Sequence, residues 1–181
     1  VPGGAARRPP NTQGGEWLMK TPFLLIAAMF LGAGFAAASE ADIARHPACP
    51  LCGMNRWEFA HSRMVIVFED GSETGTCSIH CTAVELVNRL DRAPVSFAVG
   101  DYLTRMLIDA EKAIWVIGGD RPGVMSARAK WAFARREDAE RFVKAHGGTI
   151  VGFEEALQAA FADLYHDTKM IRDRRKAKQA R

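Results

Sequence analysis

The chain has 181 residues, 48% of them hydrophobic, and a formal net charge of +3 at pH 7. A chain of this length can bury one core, or two small half-domains that share one, and leaves no room for two large domains. Residues 39–165 hold 14 Lys and Arg against 18 Asp and Glu, whereas residues 166–181 hold seven against two. Because the body has no basic face with interleaved aromatic residues, the composition argues against nucleic-acid binding.

Residues 19–38 have the features of a secretory signal peptide. A single lysine follows Met19, an uncharged and mostly apolar run covers residues 22–38, and small residues end it. We therefore predict a leader at residues 1–18, a true start at Met19, cleavage near Ala38 and export to the periplasm. The apolar run has about 17 residues, the lower limit for spanning a bilayer, so an uncleaved membrane anchor is the alternative.

The first half of the body, about residues 46–103, is predicted to form two strands, a helix and a strand. Residues 63–70 are β-rich and end at Asp70-Gly71, so residues 72–77 can return antiparallel as a hairpin. Ser78 is a good N-cap, and the residues after it recur at helical spacing up to a stop near Pro94. The inward positions are predicted to be Ile79, Ala83, Val84, Leu86, Val87 and Leu90. A strand over residues 95–103 follows.

The second half, about residues 104–165, repeats this order of elements. Its segments are predicted as strands around residues 106–110 and 113–119, a loop at 120–130, a strand at 131–134, a helix at 136–148, a strand at 149–153 and a last helix to 165. The fold class is therefore α+β, with two small strand-strand-helix-strand half-domains. Residues 166–181 are predicted to be a solvated, frayed helix end, with contact to a membrane surface or an acidic partner as the alternative.

The four cysteines form two closely spaced pairs, Cys49 with Cys52 and Cys77 with Cys81. In a tight turn with the spacing of Cys49 and Cys52, both thiolates can face one ion. Gly53, directly after the pair, can adopt backbone conformations that a Cβ would hinder. Cys81 is expected in the first turn of a helix, whose positive end favours ionisation of its thiol. Two such pairs about 24 residues apart predict a four-ligand metal site. Two disulfides, a structural zinc site and a site for a softer metal all remain open at this point.

Two methionines favour copper over zinc. A thioether binds soft Cu(I) far better than Zn(II). Met54 directly follows the first cysteine pair, and Met125 lies in a Gly- and Pro-containing loop where it has no evident core to fill. His80 stands between the second pair and is an alternative ligand, although a helix would point its ring away from Cys81.

The order of these segments resembles the NosL family, accessory proteins of nitrous oxide reductase that bind Cu(I) and deliver it outside the cytoplasm. The resemblance extends from Cys49 to Leu157 and rests on CPLCGM, FEDG, GDYLTRMLIDAEKAIWVIGG and WAFARREDAERFVKAHGGTIVGFEEAL. The cysteine half alone is also similar to the heavy-metal-binding domains called YHS or TRASH. The resemblance implies a two-half α+β fold related in shape to part of organomercurial lyase, with a Cu(I) site near the interface of the halves.

Carried over to this sequence, the family pattern points to Cys49, Cys52, Met54 and Met125 as copper ligands. The second cysteine pair exceeds the minimal pattern of the family, and no lipobox precedes the first pair. We therefore predict an exported metallochaperone, without enzymatic activity, that hands Cu(I) to a periplasmic copper enzyme. The resemblance implies that this acceptor is nitrous oxide reductase. The predicted ligands are Cys49, Cys52, Met54, Cys77, Cys81 and Met125.

Two other functions compete with the copper chaperone. The first is a structural module that holds Zn(II) through the four cysteines and serves as an interaction domain. The second is a thiol-disulfide oxidoreductase that uses Cys49 and Cys52. No strand leads into this pair as it would in a thioredoxin-like protein, which argues against the second function.

Overall fold

The computed structural model describes residues 41–180. The predicted leader at residues 1–18 and the predicted signal peptide at residues 19–38 lie outside this range. A helical turn at residues 41–45 begins the described chain. Within residues 41–180, no helix combines the length and the apolar composition needed to cross a bilayer.

The first sheet is built on the predicted hairpin. Strands β1 (Met64–Phe68) and β2 (Glu73–Thr76) pair antiparallel, and Gly71 takes the left-handed conformation in the turn between them. Helix α1 (Ile79–Asn88) follows, and β3 (Pro94–Gly100) pairs antiparallel with the other edge of β1. The short strand β4 (Leu107–Asp109) completes the order β2-β1-β3-β4.

The second sheet repeats the same topology. Strand β5 (Ile114–Ile117) is central, with β6 (Lys130–Phe133) on one side and β7 (Thr149–Val151) on the other. Helix α2 (Arg136–His146) connects β6 to β7 and ends at Gly147. In both sheets the first strand lies between the second and the third, and all pairs are antiparallel. The structure thus confirms the predicted α+β fold of two strand-strand-helix-strand units.

The last helix, α3 (Phe153–Gln179), is longer than predicted. It has 27 residues, about 40 Å at 1.5 Å per residue, and does not end at Tyr165. No Gly or Pro interrupts residues 153–180, so nothing in the sequence stops the helix before the basic segment. From residue 168 onwards the side chains are exposed, apart from the half-buried Met170 and Ile171. The basic tail is therefore the solvated end of a continuous helix.

Both sheets and α3 contribute to one hydrophobic core. Met64 and Val99 of the first sheet, Trp115 of the second and Phe153 of α3 belong to a single buried cluster. The indole N–H of Trp115 donates to the carbonyl of Ala110 at 2.8 Å, so this buried ring leaves no polar atom unpaired. The two halves therefore share their core and hold each other in place.

Helix α1 differs from the prediction in the face that it buries. Ile79 and Ala83 are buried as expected, but Val87 is 51% exposed and Leu90, just beyond the helix, is 85% exposed. The buried residues are concentrated in the first two turns, where α1 packs against the first sheet and α3. The end of the helix extends past these contacts, so its apolar residues meet solvent.

Candidate metal centre

The first cysteine pair lies in a tight turn. The amide of Cys49 donates to the carbonyl of Met54 at 2.9 Å, and the amide of Gly53 donates to the carbonyl of Cys49 at 2.8 Å. A single β-bridge between Ala48 and Asn55 closes the turn. Gly53 has a φ of 77°, which residues with a Cβ rarely adopt, so the predicted role of this glycine is confirmed.

The second cysteine pair lies where β2 passes into α1. Cys77 directly follows β2, and Cys81 is in the first turn of the helix. The hydroxyl of Ser62 donates to the carbonyl of Cys77 at 2.8 Å. Ser78 occupies the N-cap position as predicted, although its side chain makes no capping hydrogen bond. A strand end and a helix start thus direct the two thiols to the same place.

The sulfur atoms of the two pairs meet in one cluster. All four Sγ atoms lie within 4.8 Å of one another. Cys77 Sγ is 3.5 Å from Cys52 Sγ and 3.6 Å from Cys81 Sγ, and Cys81 Sγ is 3.8 Å from Cys52 Sγ. All four are free thiols, since a disulfide would bring two sulfurs to about 2.05 Å. Cys49, Cys77 and Cys81 are at most 1% exposed, whereas Cys52 is half-buried.

These separations fit a tetrahedral metal site. Zinc–thiolate bonds of about 2.3 Å in a regular tetrahedron place the sulfurs about 3.8 Å apart. The three separations among Cys52, Cys77 and Cys81, at 3.5, 3.6 and 3.8 Å, approach this value, and Cys49 Sγ lies within 4.8 Å of each of the others. Three of the four cysteines are closed off from solvent, so an ion bound here would be shielded on most sides. The cluster can therefore hold a thiophilic metal ion with little rearrangement.

Both predicted methionines lie at the cluster. Met54 and Met125 pack against the cysteines, and both are half-buried. Met125 has a φ of 60°, a left-handed conformation that is uncommon outside glycine. Apolar side chains that the sequence analysis did not single out complete the surroundings, namely Leu51, Phe59 and Val124. The structure thus brings all six predicted residues together, and metal binding by them stays a prediction.

The imidazole of His80 is turned towards α3. Its Nδ1 lies 3.1 Å from Oδ2 of Asp167, and both side chains are buried. The helix therefore directs this ring away from Cys81, as the sequence analysis expected. His80 supports the cluster from outside, through an ion pair or hydrogen bond with a residue that is distant in sequence.

The four thiols differ in acidity because they share hydrogen bonds. The hydrogen bond with Cys52, followed by those with Cys77 and Cys81, holds the pKa of Cys49 far below the ordinary thiol value. The pKa of Cys52 falls to about 7: its hydrogen bond with Cys49 acts against this, and those with Cys77 and Cys81 outweigh it. In the absence of metal, the first pair therefore carries the thiolates.

The second pair keeps its protons. The thiols of Cys77 and Cys81 donate hydrogen bonds to Cys49 and Cys52. These bonds raise the pKa of both donors, and burial raises it further. The expectation that the helix end would make Cys81 readily ionised is therefore wrong. Its thiol is 1% exposed and donates to Cys52, and both the burial and the hydrogen bonds favour its protonated form.

A buried ion cluster behind the first cysteine pair was missed by the sequence analysis. Asp42, Arg56 and Arg63 are at most 2% exposed. Asp42 accepts hydrogen bonds from Arg56 Nη2 at 2.8 Å and from Arg63 Nε and Nη2, both at 3.0 Å. Arg56 also donates to the carbonyl of Thr76 at 3.0 Å and to that of His46 at 2.7 Å. Since these carbonyls lie just before the two cysteine pairs, Arg56 fixes one pair relative to the other.

Comparisons with known proteins agree with this fold. A search of curated proteins gave no match. The crystal structure of the copper chaperone NosL from Shewanella denitrificans is similar in fold, with a TM-score of 0.51 and 22% identity over 62% of this chain and 90% of that one. The profile of the NosL family matches residues 40–161, which is more than half of the sequence. The chain therefore belongs to the NosL family.

Proposed function

We propose that this protein is an exported metallochaperone that holds Cu(I) at the four-cysteine cluster and passes it to a copper-using partner. The observation that carries the proposal is the packing of two methionines, Met54 and Met125, against four sulfur atoms that lie within 4.8 Å of one another. Thioethers add affinity for Cu(I) and little for Zn(II), so their place at the cluster favours copper. Membership of the NosL family supports the same cargo.

Transfer of the ion would proceed by ligand exchange at the open side of the cluster. Cys52, Met54 and Met125 are half-buried, whereas the other three sulfurs are closed off from solvent. A thiolate, thioether or imidazole of an acceptor would therefore reach the ion past these three side chains and replace them one at a time. Copper stays Cu(I) throughout, so the exchange needs no electron donor, and the protein acts as a carrier and not as an enzyme.

Nitrous oxide reductase is the acceptor that we propose, on the basis of the family alone. Delivery outside the cytoplasm belongs to the same proposal, because the predicted signal peptide would export the chain before it meets copper. The copper content of the reductase, purified from cells that lack this protein, tests the point. We expect a copper-deficient reductase that the Met125→Ala variant restores only in part. A fully loaded reductase would refute this choice of acceptor.

A structural zinc site is the second candidate. The observation that favours it is the match between the separations of the Cys52, Cys77 and Cys81 sulfurs, 3.5 to 3.8 Å, and the sulfur–sulfur distance of about 3.8 Å in a zinc tetrathiolate. Such a site would bind zinc tightly, would depend on all four cysteines, and would destabilise the fold when a chelator removes the metal. Neither methionine would contribute to its affinity.

A competition titration separates the two functions. We would purify the protein without oxygen, count its free thiols and titrate Cu(I) and Zn(II) against chromogenic chelators. Stoichiometric Cu(I) binding that displaces zinc and weakens about tenfold or more in Met125→Ala and Cys49→Ser is the expected result. Met170→Ala, which changes a half-buried methionine outside the cluster, is the matched control. Tight zinc binding whose affinity is unchanged in Met125→Ala, without displacement by Cu(I), would refute the copper proposal.

A further inference from the structure

The loop that carries Met125 is tied to α3 by two carboxylates one helical turn apart. Asp163 accepts hydrogen bonds from Arg128 Nε and Nη2 at 2.9 and 3.0 Å and from Lys130 Nζ at 2.8 Å. Asp167 accepts a hydrogen bond from the backbone amide of Ala127 at 2.9 Å. The segment directly after Met125 is therefore held against the helix by charged side chains and not by apolar packing alone.

Asp167 also reaches the other side of the metal centre. Its Oδ1 accepts the hydrogen bond from the amide of Ala127, two residues after Met125, and its Oδ2 lies 3.1 Å from Nδ1 of His80. His80 lies in the first turn of α1, directly before Cys81. Asp167 is 1% exposed, so its carboxylate is shielded from water and needs these two hydrogen-bond partners in its place. One buried carboxylate thus bridges the loop with the methionine and the helix with the cysteine.

The conformation of Met125 requires such an anchor. Its φ of 60° is unfavourable for a residue with a Cβ, costs on the order of 1–3 kcal/mol, and persists only where the surroundings impose it. The bond from the Ala127 amide to Asp167 lies two residues further along the same loop. Without it, the loop can relax and move the methionine away from the cysteines.

We propose that Asp167 is a positioning residue that holds Met125 against the cysteine cluster, so that the contribution of Met125 to Cu(I) affinity depends on Asp167. This inference rests on the proposed copper-binding function. The hydrogen bonds of Asp167 go to the backbone of the loop on one side and to His80 on the other, and neither partner is one of the six predicted ligands. Its loss should therefore resemble the loss of Met125, while zinc binding by the four thiolates should change little.

The test is a double-mutant cycle on Cu(I) affinity. We expect Asp167→Ala and Met125→Ala each to weaken Cu(I) binding by about 10- to 100-fold and the double variant to be no weaker than Met125→Ala alone. Asp167→Asn keeps an oxygen for the Ala127 amide and should retain most of the affinity. Asp173→Ala, at an exposed aspartate of the same helix, is the control. If Asp167→Ala does not fold, Asp167→Ser replaces it, because its shorter side chain also withdraws the oxygen from both partners.

A measurement without copper isolates the positioning role. In metal-free protein the Ala127 amide should exchange its hydrogen slowly in the wild type and in Asp167→Asn, and much faster in Asp167→Ala. Wild-type Cu(I) affinity in Asp167→Ala, or in Asp167→Ser where it replaces that variant, would overturn the inference and leave the copper function intact, and so would effects that multiply in the double variant. Absence of Cu(I) binding by the wild type would overturn both.

Discussion

Replacing Asp42 by alanine removes the carboxylate that two buried arginines share. Arg56 and Arg63 are both 0% exposed, and Asp42 accepts three hydrogen bonds of 2.8 to 3.0 Å from them. Removing one partner from a buried ion pair costs about 3–5 kcal/mol, because the remaining charge stays buried without compensation. Total stabilities of domains are about 5–15 kcal/mol. Asp42→Ala should therefore remove a large part of the free energy of unfolding of the metal-free protein.

Urea denaturation of the metal-free protein, followed by circular dichroism, measures this loss. We expect the free energy of unfolding to fall by about 3–5 kcal/mol, which lowers the thermal midpoint by roughly 6–20 °C at 2–4 °C per kcal/mol. Asp91→Ala is the control: its side chain is 64% exposed in its ion pair with Arg92, so a change within about 0.5 kcal/mol is expected. A loss below about 1 kcal/mol for Asp42→Ala would refute the idea that the two arginines depend on it.

A glycine and the basic helix end each give a further prediction. A Cβ on Gly100 would lie 2.0 Å from the carbonyl oxygen of Ala60. Gly100→Ala should therefore destabilise the fold by about 1–3 kcal/mol, measured by thermal unfolding. An unchanged thermal midpoint would show that the backbone can move to accommodate the methyl group. Residues 168–179 carry six Lys and Arg against one Asp, so the protein should bind anionic lipid vesicles. It should release them in about 1 M salt, because the Debye length is then only about 3 Å. Equal binding to uncharged vesicles would contradict an electrostatic contact.

Local patterns were enough to predict most of the elements and the proximity of the four cysteines. The hairpin follows from β-rich residues around Asp70-Gly71, and α2 ends at His146, directly before the two glycines that close its predicted range. The cysteine cluster follows from spacing, because a tight turn and a helix start each bring two thiols together within a few residues. Local periodicity was less reliable at the end of α1, where Val87 and Leu90 are exposed although their spacing placed them on the inward face.

Contacts between distant residues could not be predicted in the same way. Asp42 meets Arg63 across 21 residues and His80 meets Asp167 across 87, and no periodicity encodes such pairs. One signal was available for Asp167, since it continues the buried positions Ala156 and Ala160 of α3. An acidic residue on the core-facing side of a helix is expected to have a partner, but only the fold identifies it.

The unequal acidity of the two cysteine pairs gives a way to tell which ligands a bound ion uses. In the metal-free cluster the pKa of Cys49 is far below the ordinary thiol value and that of Cys52 is about 7, so both are thiolates at pH 8, whereas the raised pKa values of Cys77 and Cys81 keep these two thiols protonated. Zinc bound by four thiolates must therefore release roughly two protons per ion, whereas Cu(I) bound by the first pair and thioethers should release almost none. Calorimetric titrations in two buffers of different ionisation enthalpy give both numbers. Release of about two protons with Cu(I) as well would mean that the second pair binds copper directly and that the methionines are not needed to complete its coordination.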